Sequence, residues 1–211
     1  MLLSPHDHVL FYGDSITDAG RNRESKPNDA DGWGRGYAFQ ASAQLLSEFA
    51  DWNLTFSNKG ISGNRIYDLE ERLENDVLAL NPNLVSILIG INDTWRAFDS
   101  KITSATETFT ASYHRVLTAL AERDIRVILL EPFLLPVPED RRAWRADLDP
   151  KINAVRDLAR EFGATYVPLD GIFAAASVVR GPAYWLPDGV HPSAAGHALI
   201  ARHWIDAVTE G

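Results

Sequence analysis

The stretch VLFYGDSITD, residues 9–18, decides the fold of this chain. Its first four residues are apolar and predict a short buried strand, which ends at Gly13 before the turn residues Asp14 and Ser15. Open α/β sheets carry their functional sites beyond the carboxyl ends of the strands, which is where Ser15 would lie. An isolated serine in this position would more simply cap the next helix. Other residues of the chain must therefore decide between a capping serine and a functional one.

The composition is that of an ordinary globular protein. The chain has 211 residues, of which 45% are hydrophobic and 23% are charged, and we expect one domain over residues 1–211. The formal net charge of -9 and the lack of a long basic run make nucleic acids and anionic membranes poor partners. Because there is no cysteine, disulfides, thiol nucleophiles and thiolate metal sites are excluded.

The amino terminus, residues 1–8, has neither the basic segment nor the apolar run of a secretory signal. The longest apolar run, residues 84–89, is far shorter than the roughly 20 residues that span a bilayer. We therefore expect a cytoplasmic protein without a membrane partner.

Predicted strands alternate with predicted helices along the whole chain. Apolar runs predict strands at residues 9–12, 54–57, 84–89, 126–130 and 165–167. Helical spacing predicts five helices: from about Tyr37 to Ala50, over residues 66–80, after residue 107, around residues 148–158, and from about Ser193 onward. The first should carry Phe39 on its apolar face, and the third should begin with a capping box at residues 104–107. This alternation predicts an α/β fold, a parallel sheet with helices on both faces.

Polar residues and glycines follow the first three strands. Ser15 follows the first, residues 60–63 follow the second, and Asn92 follows the third. Because the carboxyl ends of parallel strands meet at one edge, we expect these loops to converge there. A fourth segment, LPDGVHP at residues 186–192, carries Asp188 and His191 just before the last helix.

Acyl transfer by a serine needs residue types that these segments supply. An imidazole such as that of His191 can accept the Ser15 proton near neutral pH, and a carboxylate such as Asp188 can hold the ring in one tautomer. The simpler interpretation is that Asp188 is a turn residue and His191 a helix-start residue, since an Asp-x-x-His pair alone is common.

The oxyanion of a tetrahedral intermediate needs hydrogen-bond donors. The backbone N–H groups of Ser15 and Gly63 and the side-chain amide of Asn92 are candidates. Each residue also has a simpler explanation: Gly63 would suit a turn with positive φ, and Asn92 could bond to its own backbone.

Four sequence blocks together resemble the SGNH, or GDSL, hydrolase family. The blocks are Gly13-Asp14-Ser15, Gly60 to Gly63, Gly90-Ile91-Asn92-Asp93 and Asp188-Gly189-Val190-His191-Pro192. The resemblance implies a three-layer α/β/α, flavodoxin-like fold with five parallel strands in the order 2-1-3-4-5. It implies Ser15 as nucleophile, His191 as base, Asp188 as its orienting acid, and an oxyanion hole of Ser15, Gly63 and Asn92. Neither a metal nor a cofactor is implied.

Longer matches around residues 13–21, 58–64 and 89–96 resemble the bacterial intracellular acetylxylan esterases. These enzymes remove acetyl groups from xylo-oligosaccharides, which implies a small acetylated carbohydrate as the substrate. At least one of them forms a ring-shaped octamer, so the resemblance also implies a homo-oligomer.

Four aromatic residues in predicted loops are candidates for stacking against a sugar: Trp33, Trp95, Tyr184 and Trp185. They could equally pack the loops or a subunit interface. Residues 136–150 and 184–187 match no pattern of the family, and we expect them to form walls of the pocket.

Two other functions remain open from the sequence. One is a short-chain acyl esterase, thioesterase or lysophospholipase on the same scaffold. The other is a catalytically silent sugar-binding module, against which the intact set of Ser15, Asp188 and His191 argues.

Overall fold

The computed structural model describes residues 1–26 and 28–210. In these residues, five parallel strands form one sheet in the order β2-β1-β3-β4-β5, which confirms the predicted α/β class and strand order. The strands are β1 His8–Gly13, β2 Thr55–Gly60, β3 Leu84–Leu88, β4 Arg126–Leu130 and β5 Thr165–Val167. Within the same residues, no helix combines the length and the apolar character that crossing a membrane requires.

The helices of the described residues lie between and after these strands. They are α1 Ser15–Asp18, α2 Tyr37–Glu48, α3 Ile66–Asp76, α4 Ile91–Asp99, α5 Thr106–Ala121, α6 Arg145–Phe162, α7 Leu169–Val179, α8 Pro182–Trp185 and α9 Ala194–Thr209. Short 3-10 helices occupy Ala30–Trp33, Leu78–Leu80 and Glu139–Trp144.

The sheet separates two hydrophobic cores, because successive side chains of a strand point to opposite faces. From β1, Val9 and Phe11 join the core beneath α2 and α9, whereas Leu10 and Tyr12 join the core beneath α3 and α5. All four side chains are fully buried. Burial on both faces explains why β1 is a continuous apolar run rather than an alternating one.

Two helical predictions were wrong in detail. Phe39, placed on the apolar face of α2, is 37% exposed, and the buried face instead carries Tyr37, Ala41 and Leu45. The expected capping box at the start of α5 does not form. The hydroxyl of Ser104 instead donates to the buried carboxylate of Asp93 at 3.1 Å, which it can do because Ala105 takes the N-cap position.

Strand β2 runs three residues further than the sequence predicted, to Gly60. Asn58, expected in a loop, is buried and donates from its side chain to the carbonyl oxygens of Thr17 and Trp33. At Gly60, the strand passes so close to α1 that a Cβ would lie 2.3 Å from the backbone nitrogen of Asp18. The absence of a side chain at Gly60 thus allows the ends of β1 and β2 to meet.

We therefore expect Gly60→Ala to lower the free energy of unfolding by about 1–3 kcal/mol or more, because the added methyl overlaps backbone that cannot rotate away. Urea denaturation followed by circular dichroism measures this. Gly171→Ala, in α7 where a Cβ meets nothing within 4 Å, is the control and should be neutral or stabilising by up to about 1 kcal/mol. Equal stability of the two variants would contradict the steric account.

Candidate active site

Ser15 begins α1 directly beyond the carboxyl end of β1. The N-cap of this helix is Asp14, whose Oδ1 accepts a 3.0 Å hydrogen bond from the backbone N–H of Ile16. Gly13 leaves no room for a side chain, since a Cβ there would lie 2.4 Å from the carbonyl oxygen of Leu88. Because Asp14 rather than Ser15 caps the helix, the hydroxyl of Ser15 is left for other contacts.

The hydroxyl of Ser15 meets the ring of His191, 176 residues away in the chain. Ser15 Oγ lies 3.0 Å from His191 Nε2, and His191 Nδ1 lies 2.7 Å from Asp188 Oδ2. The tautomer with its hydrogen on Nδ1 satisfies both contacts, because Nδ1–H donates to the carboxylate and Nε2 accepts from the hydroxyl. The three side chains thus form a continuous hydrogen-bonded chain.

The negative charge of Asp188 favours the protonated form of the His191 imidazole. The hydrogen bond to Asp188 raises the pKa of His191, although burial of the ring opposes the rise. Burial would also raise the pKa of Asp188, but hydrogen bonds from the His191 ring and from the backbone N–H groups of His191 and Val190 outweigh it and lower that pKa to about 2. The carboxylate is therefore charged throughout the neutral range.

The turn at residues 188–191 is held by its own backbone and by the segment after β4. Asp188 Oδ1 accepts from the N–H groups of Val190 and His191 at 3.0 and 2.7 Å, so one carboxylate fixes both the turn and the ring. Gly189 has φ +83°, and a Cβ there would lie 2.4 Å from the carbonyl oxygen of Leu135. The N–H of Leu135 donates back to the Gly189 carbonyl at 3.0 Å.

Two of the three expected oxyanion donors, Gly63 and Asn92, lie on adjacent segments, and the third, the Ser15 N–H, lies at the start of α1. Asn92, predicted in a loop, occupies the first turn of α4, and its Nδ2 donates to the carbonyl oxygen of Asn64 at 3.0 Å. This contact uses one of the two amide hydrogens. Gly63 has φ +87°, and its N–H donates to none of the residues that the structure describes. The segment around Gly63 and the start of α4 are thus joined, and each keeps a donor.

Buried aspartates stabilise the loops around the serine. Asp18 Oδ2 accepts from the backbone N–H and the hydroxyl of Ser62, which ties α1 to the segment after β2. Burial raises the pKa of Asp93 to about 6 and that of Asp14 to about 7. Asp14 and Asp18 both accept hydrogen bonds from neighbouring backbone N–H groups, which gives them a structural role.

The four aromatic candidates lie in different environments. The half-buried ring of Trp95 lies 5.8 Å from the ring of His191, centroid to centroid. Trp33 is only 6% exposed, packs against Phe56, and donates from Nε1 to the Phe56 carbonyl at 3.1 Å. Its indole thus belongs to the core beneath α2, and stacking of Trp33 against a sugar stays a prediction from the sequence.

Tyr184 and Trp185 form the last turn of α8 rather than a loop. The Trp185 indole N–H donates to the carbonyl oxygens of Ala176 and Arg180, and the guanidinium of Arg180 covers the Tyr184 ring at 4.8 Å. The Trp185 ring therefore packs against α7, whereas the Tyr184 ring is 47% exposed. Neither one touches the His191 ring in the part of the chain that the structure describes.

Two residues beside the site were not singled out from the sequence, Arg141 and Trp144. Trp144 is 5% exposed and packs against Trp95 at 5.3 Å, and the guanidinium of Arg141 lies 3.8 Å from the Trp144 ring centroid. They occur in PEDRRAWRADLDP, residues 138–150, whose charges suggest a solvent-exposed loop. The large apolar residues Trp144 and Leu148 are the signals in this charged segment that part of it is buried.

Comparisons with known proteins show the family of this chain. The model of the GDSL-like lipase/acylhydrolase family matches residues 11–199. An acetylxylan esterase of Geobacillus stearothermophilus is 33% identical over 209 residues, which cover 97% of this chain and 95% of that protein.

Solved structures give the same result. A crystal structure described as a GDSL-like lipase from Parabacteroides merdae is 36% identical, has a TM-score of 0.94, and covers 98% of both chains. The crystal structure of the Geobacillus acetylxylan esterase Axe2 is 31% identical, with a TM-score of 0.91 over 99% of this chain and 97% of that one. The chain therefore belongs to the GDSL-like lipase/acylhydrolase family and is a carboxylic ester hydrolase.

Proposed function

We propose that this esterase removes O-acetyl groups from xylo-oligosaccharides through an acetyl-enzyme on Ser15. The observation that carries the proposal is the alignment of Ser15 Oγ, the His191 ring and the Asp188 carboxylate at 3.0 and 2.7 Å. The choice of substrate is supported by the relative named an acetylxylan esterase and by a structural neighbour named an acetyl-xylooligosaccharide esterase. Catalytic mutants of that neighbour carry alanine in place of a serine, a histidine or an aspartate.

In the acylation step, Ser15 Oγ attacks the acetyl carbonyl carbon while its proton passes to His191 Nε2. The resulting imidazolium is stabilised by the Asp188 carboxylate. The negative oxygen of the tetrahedral intermediate accepts hydrogen bonds from the N–H groups of Ser15 and Gly63 and from the free amide hydrogen of Asn92. The intermediate then breaks its bond to the sugar oxygen, which takes the proton from His191 and leaves as a hydroxyl.

In the deacylation step, a water molecule replaces the sugar. His191 Nε2 accepts a proton from the water as its oxygen attacks the acetyl carbonyl, and the same donors bind the new oxyanion. Collapse of this second intermediate returns the proton to Ser15 Oγ and releases acetic acid, which ionises to acetate in solution. Both steps use the same base, so a single hydrogen-bonded chain serves the whole cycle.

Replacing the nucleophile is the most direct test. We expect Ser15→Ala to abolish hydrolysis of 4-nitrophenyl acetate and of acetylated xylotriose while leaving the fold intact, as measured by circular dichroism. Ser177→Ala, a half-buried serine of α7 whose hydroxyl donates to the Ala174 carbonyl, is the control and should retain full activity. Substantial turnover by Ser15→Ala would contradict the proposal.

The acyl and sugar preferences of the wild-type enzyme test the proposal that its substrate is an acetylated xylo-oligosaccharide. An acetyl xylo-oligosaccharide esterase should prefer acetyl to butyryl and longer 4-nitrophenyl esters, and acetylated xylotriose to acetylated glucose. A preference for longer acyl chains would instead favour a short-chain acyl esterase, thioesterase or lysophospholipase, to which the family name and the Parabacteroides neighbour also point.

The Asn92 amide is the oxyanion donor best suited to mutation. We expect Asn92→Ala to lower kcat by about 10²–10³-fold, the usual cost of losing one such donor. Asn153→Ala, on an exposed part of α6 where the amide oxygen meets Arg156, should stay near wild type. An Asn92→Ala variant within a few-fold of wild type would remove this residue from the oxyanion hole.

The raised pKa of His191 predicts the acid side of the pH profile. Because the base must be neutral to accept the Ser15 proton, kcat/KM should fall as the pH drops through this pKa, above the ordinary 6.5. In Asp188→Asn, the pKa of His191 should be lower, which moves the acid limb to lower pH, and kcat should fall about 10⁴-fold. Asp157→Asn, an exposed partner of Arg160, should leave both unchanged. An acid limb that stays in place in Asp188→Asn would contradict the role of the carboxylate.

The cytoplasmic location and the homo-oligomer stay predictions from the sequence.

A further inference from the structure

A cavity of about 460 Å³ opens beside the hydrogen-bonded chain. Its volume lies in the range of about 300–1,000 Å³ that small-molecule sites occupy. One of its walls is Trp95, whose ring also contacts the ring of His191. A group bound in the cavity would therefore lie next to the residue that protonates the leaving sugar in the mechanism above. The cavity is lined by Trp95, Phe98, Asp99, Asp140, Arg141, Ala143 and Trp144.

Arg141 is the cation of this cavity. Its guanidinium lies 4.7 Å from the Trp95 ring centroid and 3.8 Å from that of Trp144, so cation–π contacts fix its position. Its side chain makes no hydrogen bond or ion pair with any residue in 1–26 or 28–210, and its Nε is buried without a partner. Because no acceptor in these residues uses the guanidinium, its accessible N–H groups can donate to a ligand in the cavity.

The neighbouring arginines of the same segment behave differently. Arg142 bonds to Glu139 at 2.7 Å. Arg145 makes two bonds to the Asp170 carboxylate, at 2.6 and 2.8 Å. The lack of a partner is therefore particular to Arg141, the arginine that lies over Trp95.

The other walls favour a neutral polyol over an anion. Asp140 lines the same cavity and would repel a negatively charged ligand, whereas the charge of Asp99, also in the wall, is paired with Arg96 at 2.6 Å. The carboxylate of Asp140 can accept hydrogen bonds from hydroxyl groups. Phe98 is 44% exposed and offers an apolar face, while its other side stacks on Trp144 at 5.1 Å. Apolar ring faces combined with charged hydrogen-bonding groups suit the apolar faces and polar edges of a sugar ring.

We propose that this cavity is a binding site for the sugar next to the acetylated residue of the substrate, with Arg141 donating hydrogen bonds to its oxygens. The inference rests on the proposed function, because it assigns a place to the sugar chain of that substrate. It makes Arg141 a substrate-binding residue that determines specificity for oligosaccharides over simple acetate esters. Arg141 also lies close enough to His191 for its charge to lower the pKa of that imidazole, which is consistent with a position beside the reacting groups.

The test compares Arg141→Met with wild type on acetylated xylotriose and on 4-nitrophenyl acetate, with all variants assayed at one pH. Methionine retains part of the apolar stem but no donor. We expect kcat/KM for acetylated xylotriose to fall about 10–100-fold through KM, as for a lost hydrogen bond to a charged group. The loss on 4-nitrophenyl acetate, which has no sugar chain, should be several-fold smaller. Arg141→Lys, which keeps one charged donor, should recover part of the loss.

Arg142→Met is the matched control, since it removes an adjacent arginine that is already paired with Glu139. It should behave as wild type on both substrates. Equal losses by Arg141→Met on the two substrates, or no loss on either, would overturn the assignment of Arg141 and leave the proposed function intact. Failure of the wild-type enzyme to deacetylate xylotriose while it hydrolyses 4-nitrophenyl acetate would instead overturn the proposed function.

Discussion

The parallel pairing of β1 with a neighbour on each side is the constraint on which the rest of the site depends. Gly13 at the end of β1 lies opposite Gly60 of β2 and Leu88 of β3. The three strands therefore end at one edge of the sheet. The segment after β1 supplies the Ser15 hydroxyl there, the segment after β2 the Gly63 N–H, and the segment after β3 the Asn92 amide. Glycines at residues 13 and 60 allow the backbones to approach, because a side chain at either would overlap a neighbouring main-chain atom.

The base comes from the far end of the chain and is held by a separate set of contacts. Asp188 uses one carboxylate oxygen for the backbone of its own turn and the other for the ring of His191. Leu135 supports this turn from the segment after β4. The same segment continues to Arg141 and Trp144, which pack on Trp95. The imidazole and the aromatic cavity wall are thus fixed by neighbouring parts of one connection between β4 and α6.

The sequence predicted what burial on two faces and residue chemistry determine. Strands β4 and β5 have the predicted limits, because each is marked by a short apolar run. Helix α7 was missed because residues 171–179 carry no charge and so show no polar face. The convergence of Ser15, Asp188 and His191 was expected from residue types and the family resemblance. The bond of Asn92 to Asn64, the burial of Trp33 and the position of Arg141 depend on tertiary contacts that no local pattern encodes.

The central claim is that the hydroxyl of Ser15 becomes a nucleophile because the His191 imidazole, oriented by Asp188, accepts its proton. Rapid-quench mass spectrometry during hydrolysis of 4-nitrophenyl acetate tests this most directly. In wild type, the account predicts a transient peptide that contains Ser15 and is heavier by one acetyl group. In His191→Ala, this acetylated peptide should form much more slowly. Acetylation of a different residue, or unchanged acetylation of Ser15 without His191, would contradict it.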